Sequence, residues 1–276
     1  MMNQIEKIYK KTKSVLFVDP KLLYEEEKHL VNQPFYFGGN NRKAVLFIHG
    51  WTTTPYELRR LGKYLNENGY TISAPMLRGH GTVPKDLEDV KWKDWITDLK
   101  KDYEKLKNNH DKVYIAGTSM GANLAIMLAE KHPEISGLVL MAMPYRIKAE
   151  KISLFLAKIL RKFGKYHRKF YPPTFGVSTT LTRIISYQTY PVDSALETFD
   201  LIKKSRKIIS AINQPCFLLK SSSDHVVDKK SMENIYNLIG SKIKNKKYIN
   251  QAYHTFISDI KNEHVFEEIL NFLDEN

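Results

Sequence analysis

The sequence predicts an α/β fold: a mainly parallel sheet flanked by helices, with a small inserted segment. Three observations predict it. Short apolar runs alternate with helical periods from residue 44 onward. One strand runs through a glycine-flanked serine straight into a helix. The alternation breaks once, at Pro144, and then resumes in the same order.

Taken along the chain, Ala44 to Ile48 reads as a buried strand ending at His49 and Gly50. A helix follows, with Thr54 as N-cap, Pro55 at the first helical position and Glu57 three residues after the cap, the spacing of a capping box; Gly69 stops it. Tyr70 to Ala74 is the next strand. Trp92 to Asn108 is a helix by the spacing of Trp95, Ile96, Leu99, Tyr103 and Leu106. Val113 to Ala116, Ala122 to His132 and Gly137 to Met143 follow as strand, helix and strand. After the interruption come a helix from about Ser194 to Ala211, a strand at Cys216 to Leu219, a helix at about Lys230 to Ile239, a strand near Lys246 to Ile249 and a closing helix from about Glu263 to Asp274. The organisation expected is an amino-terminal arm at 1–32, a core at 33–144 and 193–276, and an insertion at 145–192.

Composition narrows the class. With 276 residues, 42% hydrophobic and 26% charged, the chain has the makings of one substantial packed domain and excludes a disordered or collagenous protein. Cys216 is the single cysteine, so no disulfide framework exists. No run of eighteen apolar residues and no secretory leader stands out, and a cytoplasmic location is the simplest expectation. Lys and Arg exceed Asp and Glu for a net charge of +13. Such a surplus fits nucleic acid, an acidic membrane surface or a well-solvated exterior. Ten of the basic residues, against Glu150 alone, lie between Tyr145 and Val192, and no nucleic-acid-binding motif accompanies them.

The motif with most chemistry is Gly117-Thr118-Ser119-Met120-Gly121. A serine on so sharp a strand-to-helix turn needs glycines on both sides, because a β-carbon there would meet the neighbouring strand and helix. Serine is a weak nucleophile alone and needs a base, and the base needs an acid to orient it. Sites built on this turn order the three as Ser, then Asp or Glu, then His. Asp224 follows the Cys216 strand, and His254 follows the strand holding Tyr248, both at carboxyl-terminal strand ends where such sheets assemble sites. Asp228, deeper in its loop, and His264, inside the closing helix, are the weaker alternatives; His225 and His80 read as loop residues, and His49 as a brace for its turn. The backbone amides of Trp51 and Met120 are the expected oxyanion donors. No zinc-ligand spacing and no phosphate-cradling glycine loop is present, so the chemistry is expected to need no cofactor and no metal.

His49-Gly50-Trp51, Arg78-Gly79-His80-Gly81, Gly117 to Gly121, Asp224-His225-Val226-Val227 and Tyr253-His254, in register, resemble the bacterial carboxylesterases and monoacylglycerol lipases of the α/β-hydrolase superfamily. The resemblance implies an eight-stranded core with a cap inserted after the sixth strand, the one ending at Met143, over a pocket for short- to medium-chain acyl esters, the small-molecule substrate. It implies the same roles for Ser119, Asp224, His254, Trp51 and Met120. It also marks a departure: where similar monoacylglycerol lipases carry Tyr-Glu ahead of a cap proline, offering a carboxylate to glycerol hydroxyls, this chain has Tyr187-Gln188. Gln188 is the candidate substrate-binding residue and can hydrogen-bond a hydroxyl without charge. Thioesterase, lysophospholipase and acyltransferase activities share the same triad, and a non-catalytic membrane-associated homologue is the rival from another class.

Within the insertion, Ile152, Phe155, Leu156, Ile159, Leu160 and Phe163 share one helical face, and Lys151, Lys158, Arg161, Lys162 and Lys165 fall largely on the other. Two readings follow. A lid could rest its apolar face on the acyl pocket and offer its charge, or when opened its apolar side, to an anionic membrane. Equally, an ordinary cap helix has a charged face that is merely solvated.

Overall fold

At the centre of the structure β2 (Lys43–Ile48) and β4 (Lys112–Thr118) run parallel, with Ile48 opposite Gly117. The computed structural model describes residues 29–169, 185–250, 252–259 and 262–276. Outwards on one side lie β3 (Thr71–Ala74), parallel to β2, and β1 (Phe35–Phe37), antiparallel to β3. On the other side β5 (Gly137–Met141), β8 (Cys216–Ser221) and β9 (Lys244–Ile249) continue in parallel, giving the order β1-β3-β2-β4-β5-β8-β9.

The helices are α1 (Arg59–Glu67), α2 (Trp92–Lys107), α3 (Met120–Lys131), α4 (Glu150–Phe163), α5 (Val192–Ile208), α6 (Ser231–Leu238) and α7 (His264–Glu275). Period-two alternation sends strand side chains to two cores. Ala44, Leu46, Ile48, Cys216 and Leu218 join Trp95, Leu99, Leu124 and Leu201 beneath α2, α3 and α5. Val45, Phe47, Phe217 and Leu219 join Leu61, Leu65, Ile269 and Leu273 beneath α1 and α7. Both faces of the sheet are covered, which is why its inner strands β2, β4, β5 and β8 are largely apolar runs, whereas the edge strand β9 is rich in lysine. The fold is the α/β-hydrolase fold.

Three features differ from the expectations or add to them. The described residues form seven strands in this sheet where eight were expected, and the insertion follows the fifth of them, because β1 alone precedes β2. The first turn after β2 is a 3-10 helix at Pro55–Leu58 leading into α1, and Thr54 makes no side-chain cap bond; Glu57 is buried instead of capping. The third concerns the insertion.

Between β5 and α5 lie α4 and an antiparallel pair, β6 (Tyr166–Arg168) with β7 (Thr189–Pro191). The rest of the insertion, with Arg183, and nearly all of the amino-terminal arm are outside the described residues, as is the Phe163 side chain. Helix α4 packs against α5 and is pinned at both ends: Arg206 donates to both oxygens of Glu150 at 2.9 and 2.8 Å, and Arg161 meets Asp193 at 2.7 Å. Its half-buried residues include Ser153, Leu154 and Ala157. The apolar face is divided: Ile152, Phe155 and Leu156 are 62%, 63% and 48% exposed, while Ile159 and Leu160 are half-buried.

Leu46 is fully buried in the middle of β2. Leu46→Ala is expected to cost about 2–5 kcal/mol, read as a lower urea midpoint with an unchanged m-value.

Candidate active site

Four parallel strands, β2 and β4 on one side of β5 and β8 and β9 on the other, deliver the site from their carboxyl-terminal ends. Ser119 stands between β4 and α3 with φ 53° and ψ −119°, a left-handed conformation that non-glycine residues avoid. The Ser119 amide donates to the Met141 carbonyl at 2.8 Å, and the Ser119 carbonyl accepts from the Ala122 amide at 3.0 Å. A β-carbon at position 117 would collide with the Gly121 backbone, and one at 121 with the carbonyls of Ile48 and His49. The glycines thus let the first turn of α3 press onto the end of β2.

His254 bridges the other two residues. Its Nε2 lies 3.0 Å from Ser119 Oγ and its Nδ1 2.9 Å from Asp224 Oδ2. The carboxylate can only accept from Nδ1–H, which leaves Nε2 free to accept the serine proton. Asp224 Oδ1 accepts the amides of Val226 and Val227 at 2.8 and 2.9 Å. Burial alone would raise this carboxyl, but His254 and the two amides hold it at about 2. For His254 burial favours the neutral ring; Asp224 first, and then the more distant Glu57, overcome it and leave the imidazole above its ordinary pKa.

The turn after β2 lies alongside. His49 is buried and straps it: Nδ1–H donates to the Gly50 carbonyl at 2.9 Å while Nε2 accepts the Leu77 amide at 3.0 Å. Burial, and then the neighbouring His80, keep His49 far below its ordinary pKa, so it braces and does not titrate near neutrality. Burial likewise lowers His80 to about 4. A β-carbon on Gly50 would stand 3.5 Å from that of Ser119, which places the Trp51 amide in the segment facing Ser119; the Met120 amide opens α3. The Trp51 indole donates to Ser194 Oγ at 2.8 Å, and the Thr52 carbonyl accepts the Tyr187 amide at 3.0 Å, tying this turn to α5 and the cap.

The remaining candidates have other partners. His264 is exposed at the start of α7, and Asp228 Oδ1 accepts the Lys230 amide at 2.9 Å. His225 is half-buried and meets Tyr253 edge-on, with centroids 6.4 Å apart. Gln188 is exposed, and its side-chain amide donates to the Ser186 carbonyl at 3.0 Å.

A family described as serine aminopeptidase, S33 matches residues 39–261. The protein belongs to that family. It is 29% identical over 248 residues to a carboxylesterase of Bacillus subtilis (strain 168), covering 90% of this chain and 98% of the relative. It is also 29% identical over 240 residues to a thermostable monoacylglycerol lipase of Bacillus sp. (strain H-257), covering 87% and 93% of the two chains. The solved structure of a metagenome-derived lipolytic enzyme superposes with a TM-score of 0.79 at 25% identity, covering 89% of this chain and 98% of that one.

Two residues of this family member escaped the sequence reading. Glu57 is 2% exposed and its Oε1 accepts the Gly50 amide at 2.6 Å. Its signal was its place four and eight residues before Leu61 and Leu65, a charge on the buried stripe of a helix. Lys169, at the start of the β6–β7 connection, donates to Thr52 Oγ1 and lies over the Trp51 ring at 5.9 Å; burial lowers its ammonium to about 7, with Glu57 opposing. Nothing in the spacing of the cap announced Lys169.

Because the space at position 121 is bounded by backbone, which cannot swing aside, Gly121→Ala is expected to lose about 1–3 kcal/mol. Thermal melting checks it: an unchanged Tm would mean that α3 does not press on β2 as described.

Proposed function

We propose that Ser119, His254 and Asp224 form the catalytic triad of a serine carboxylic ester hydrolase acting through an acyl-enzyme. The observation behind this reading is the continuous hydrogen-bond line from Ser119 Oγ through the imidazole to Asp224, set on a strained turn at a helix amino terminus. Ser119 attacks the ester carbonyl while His254 takes its proton. The tetrahedral oxyanion is met by the amides of Trp51 and Met120 and by the positive end of α3. The imidazolium returns the proton to the departing alcohol, and water then repeats the sequence on the acyl-serine. Asp224 keeps the imidazole in the tautomer the first step needs.

The substrates are short- to medium-chain acyl esters, monoacylglycerols among them, in keeping with the carboxylesterase and the monoacylglycerol lipase to which the chain is similar. With p-nitrophenyl butyrate, Ser119→Ala is expected to lose at least about a thousandfold in kcat while keeping the wild-type melting temperature. Undiminished turnover would reject the nucleophile.

The cap supplies a place for peripheral contact with an anionic membrane. No helix among the described residues is long and apolar enough to cross one. Ile152, Phe155 and Leu156 are exposed beside the equally exposed Lys151, Lys158 and Lys162, an arrangement suited to lying in a headgroup layer. Sedimentation with phosphatidylserine-containing vesicles is expected to carry the protein down at low salt and to release part of it at high salt. No binding at low salt would remove the membrane role.

A further inference from the structure

Glu57 places a second carboxylate behind the nucleophile. A β-carbon on Gly50 would stand 3.5 Å from Glu57 Oε1 and 3.5 Å from the Ser119 β-carbon, so only Gly50 separates the two. From the other side Ser258, four residues after His254, donates its hydroxyl to the Glu57 carbonyl at 3.2 Å. Leu61 and Leu65 continue the same stripe as fully buried apolar residues, and an apolar side chain at 57 would fill it without the penalty of burying a charge. The polar groups that hold the carboxylate are the Gly50 amide and the Thr53 hydroxyl. Both belong to the turn that presents the Trp51 amide, and the one Thr53 hydroxyl proton is shared between the carboxylate and the Gly50 carbonyl, 3.0 Å away.

We propose that Glu57 is a positioning residue for acyl transfer: by accepting the Gly50 amide it presets the turn that carries the oxyanion donor, and its negative charge favours the imidazolium that His254 becomes. This rests on the serine-hydrolase reading of the site. The charged groups facing Glu57 are His254, from the loop after β9, and Lys169, from the cap. Those facing His254 are Asp224, Glu57, Lys220 and His225, of which Asp224 alone makes a direct bond. Burial raises Glu57 to about 7 against the pull of Gly50, Thr53, His254 and Lys169, so its charge changes over the neutral range. The ionised form of each of Glu57 and His254 therefore favours the ionised form of the other.

Glu57→Ala and Glu57→Gln in the full chain, assayed with p-nitrophenyl butyrate from pH 5.5 to 9, test the role. Glu57→Ala removes both acceptor and charge; kcat is expected to fall about 30-fold or more, with KM changed less than about threefold, because the loss is of transition-state stabilisation. Glu57→Gln keeps an acceptor oxygen for Gly50 and loses only the charge. It is expected to recover most of kcat at pH 8, and its acidic limb of kcat/KM to shift to lower pH, since His254 has lost a negative neighbour. A merely structural carboxylate would leave that limb in place. An unmoved limb in Glu57→Gln, or a kcat within threefold of wild type in Glu57→Ala, overturns the proposal; if the alanine variant does not fold, the glutamine limb decides alone. A wild-type protein without turnover would instead reject the serine-hydrolase reading, whatever the variants do.

Discussion

The site is built around the close approach of α3 to the end of β2, and that approach exists because positions 117 and 121 carry no side chain. A β-carbon at either would meet backbone. Backbone cannot rotate out of the way, so the contact fixes the Ser119 conformation absolutely instead of merely favouring it. From it follow the position of the hydroxyl above the sheet edge, the aim of the α3 amino terminus and the distance at which Gly50 passes Ser119. Asp224 and His254 reach this point because β8 and β9 are successive strands on the same side of β4, beyond β5.

Burial then sorts the histidines by their partners. His49 and His80 are buried near one another, with centroids 5.0 Å apart, and among the described residues they bond carbonyls and amides and no carboxylate; both stay neutral and serve as struts. His254 is similarly desolvated, yet Asp224 at 2.9 Å reverses the outcome and makes it the more basic ring. The same side chain is thus made a brace or a base by whether a carboxylate shares its pocket. Asp224 can play that part because two amides already stabilise its charge, so the bond to His254 does not have to offset its desolvation alone.

Much of the core was legible because its signals are local. Continuous apolar strands and 3.6-residue periods placed β2 to β5, β8 and α2 to within a few residues, and the glycine spacing around Ser119 reflects a steric need that any such turn has. Asp224 and His254 were marked by standing just past strand ends. The missing pieces depend on tertiary context. β1 is three residues long, too short to show alternation, and exists because β3 offers it an edge. Glu57 follows Thr54 at the spacing of a capping box, but the nearby Gly50 amide was a better partner than the helix end. For α4 the sequence left open whether its apolar face is covered; Ile152, Phe155 and Leu156 are exposed and Ile159 and Leu160 half-buried, and the ion pairs Arg206–Glu150 and Arg161–Asp193 that tie α4 to α5 join residues far apart in the chain.

Glu57 and Asp224, two carboxylates at one site, have opposite linkage to folding. Asp224 is held at about 2, below its ordinary 3.8, so it adds stability that is fully present above that value and lost as pH falls through 2. Glu57 is raised from 4.5 to about 7; the unfolded chain ionises first, and between those values each step toward alkali favours unfolding, on the order of 3 kcal/mol once both forms are charged. The protein is therefore under tension around neutrality and above: the carboxylate that sits beneath the Gly50 turn is one the folded chain would rather hold as the acid.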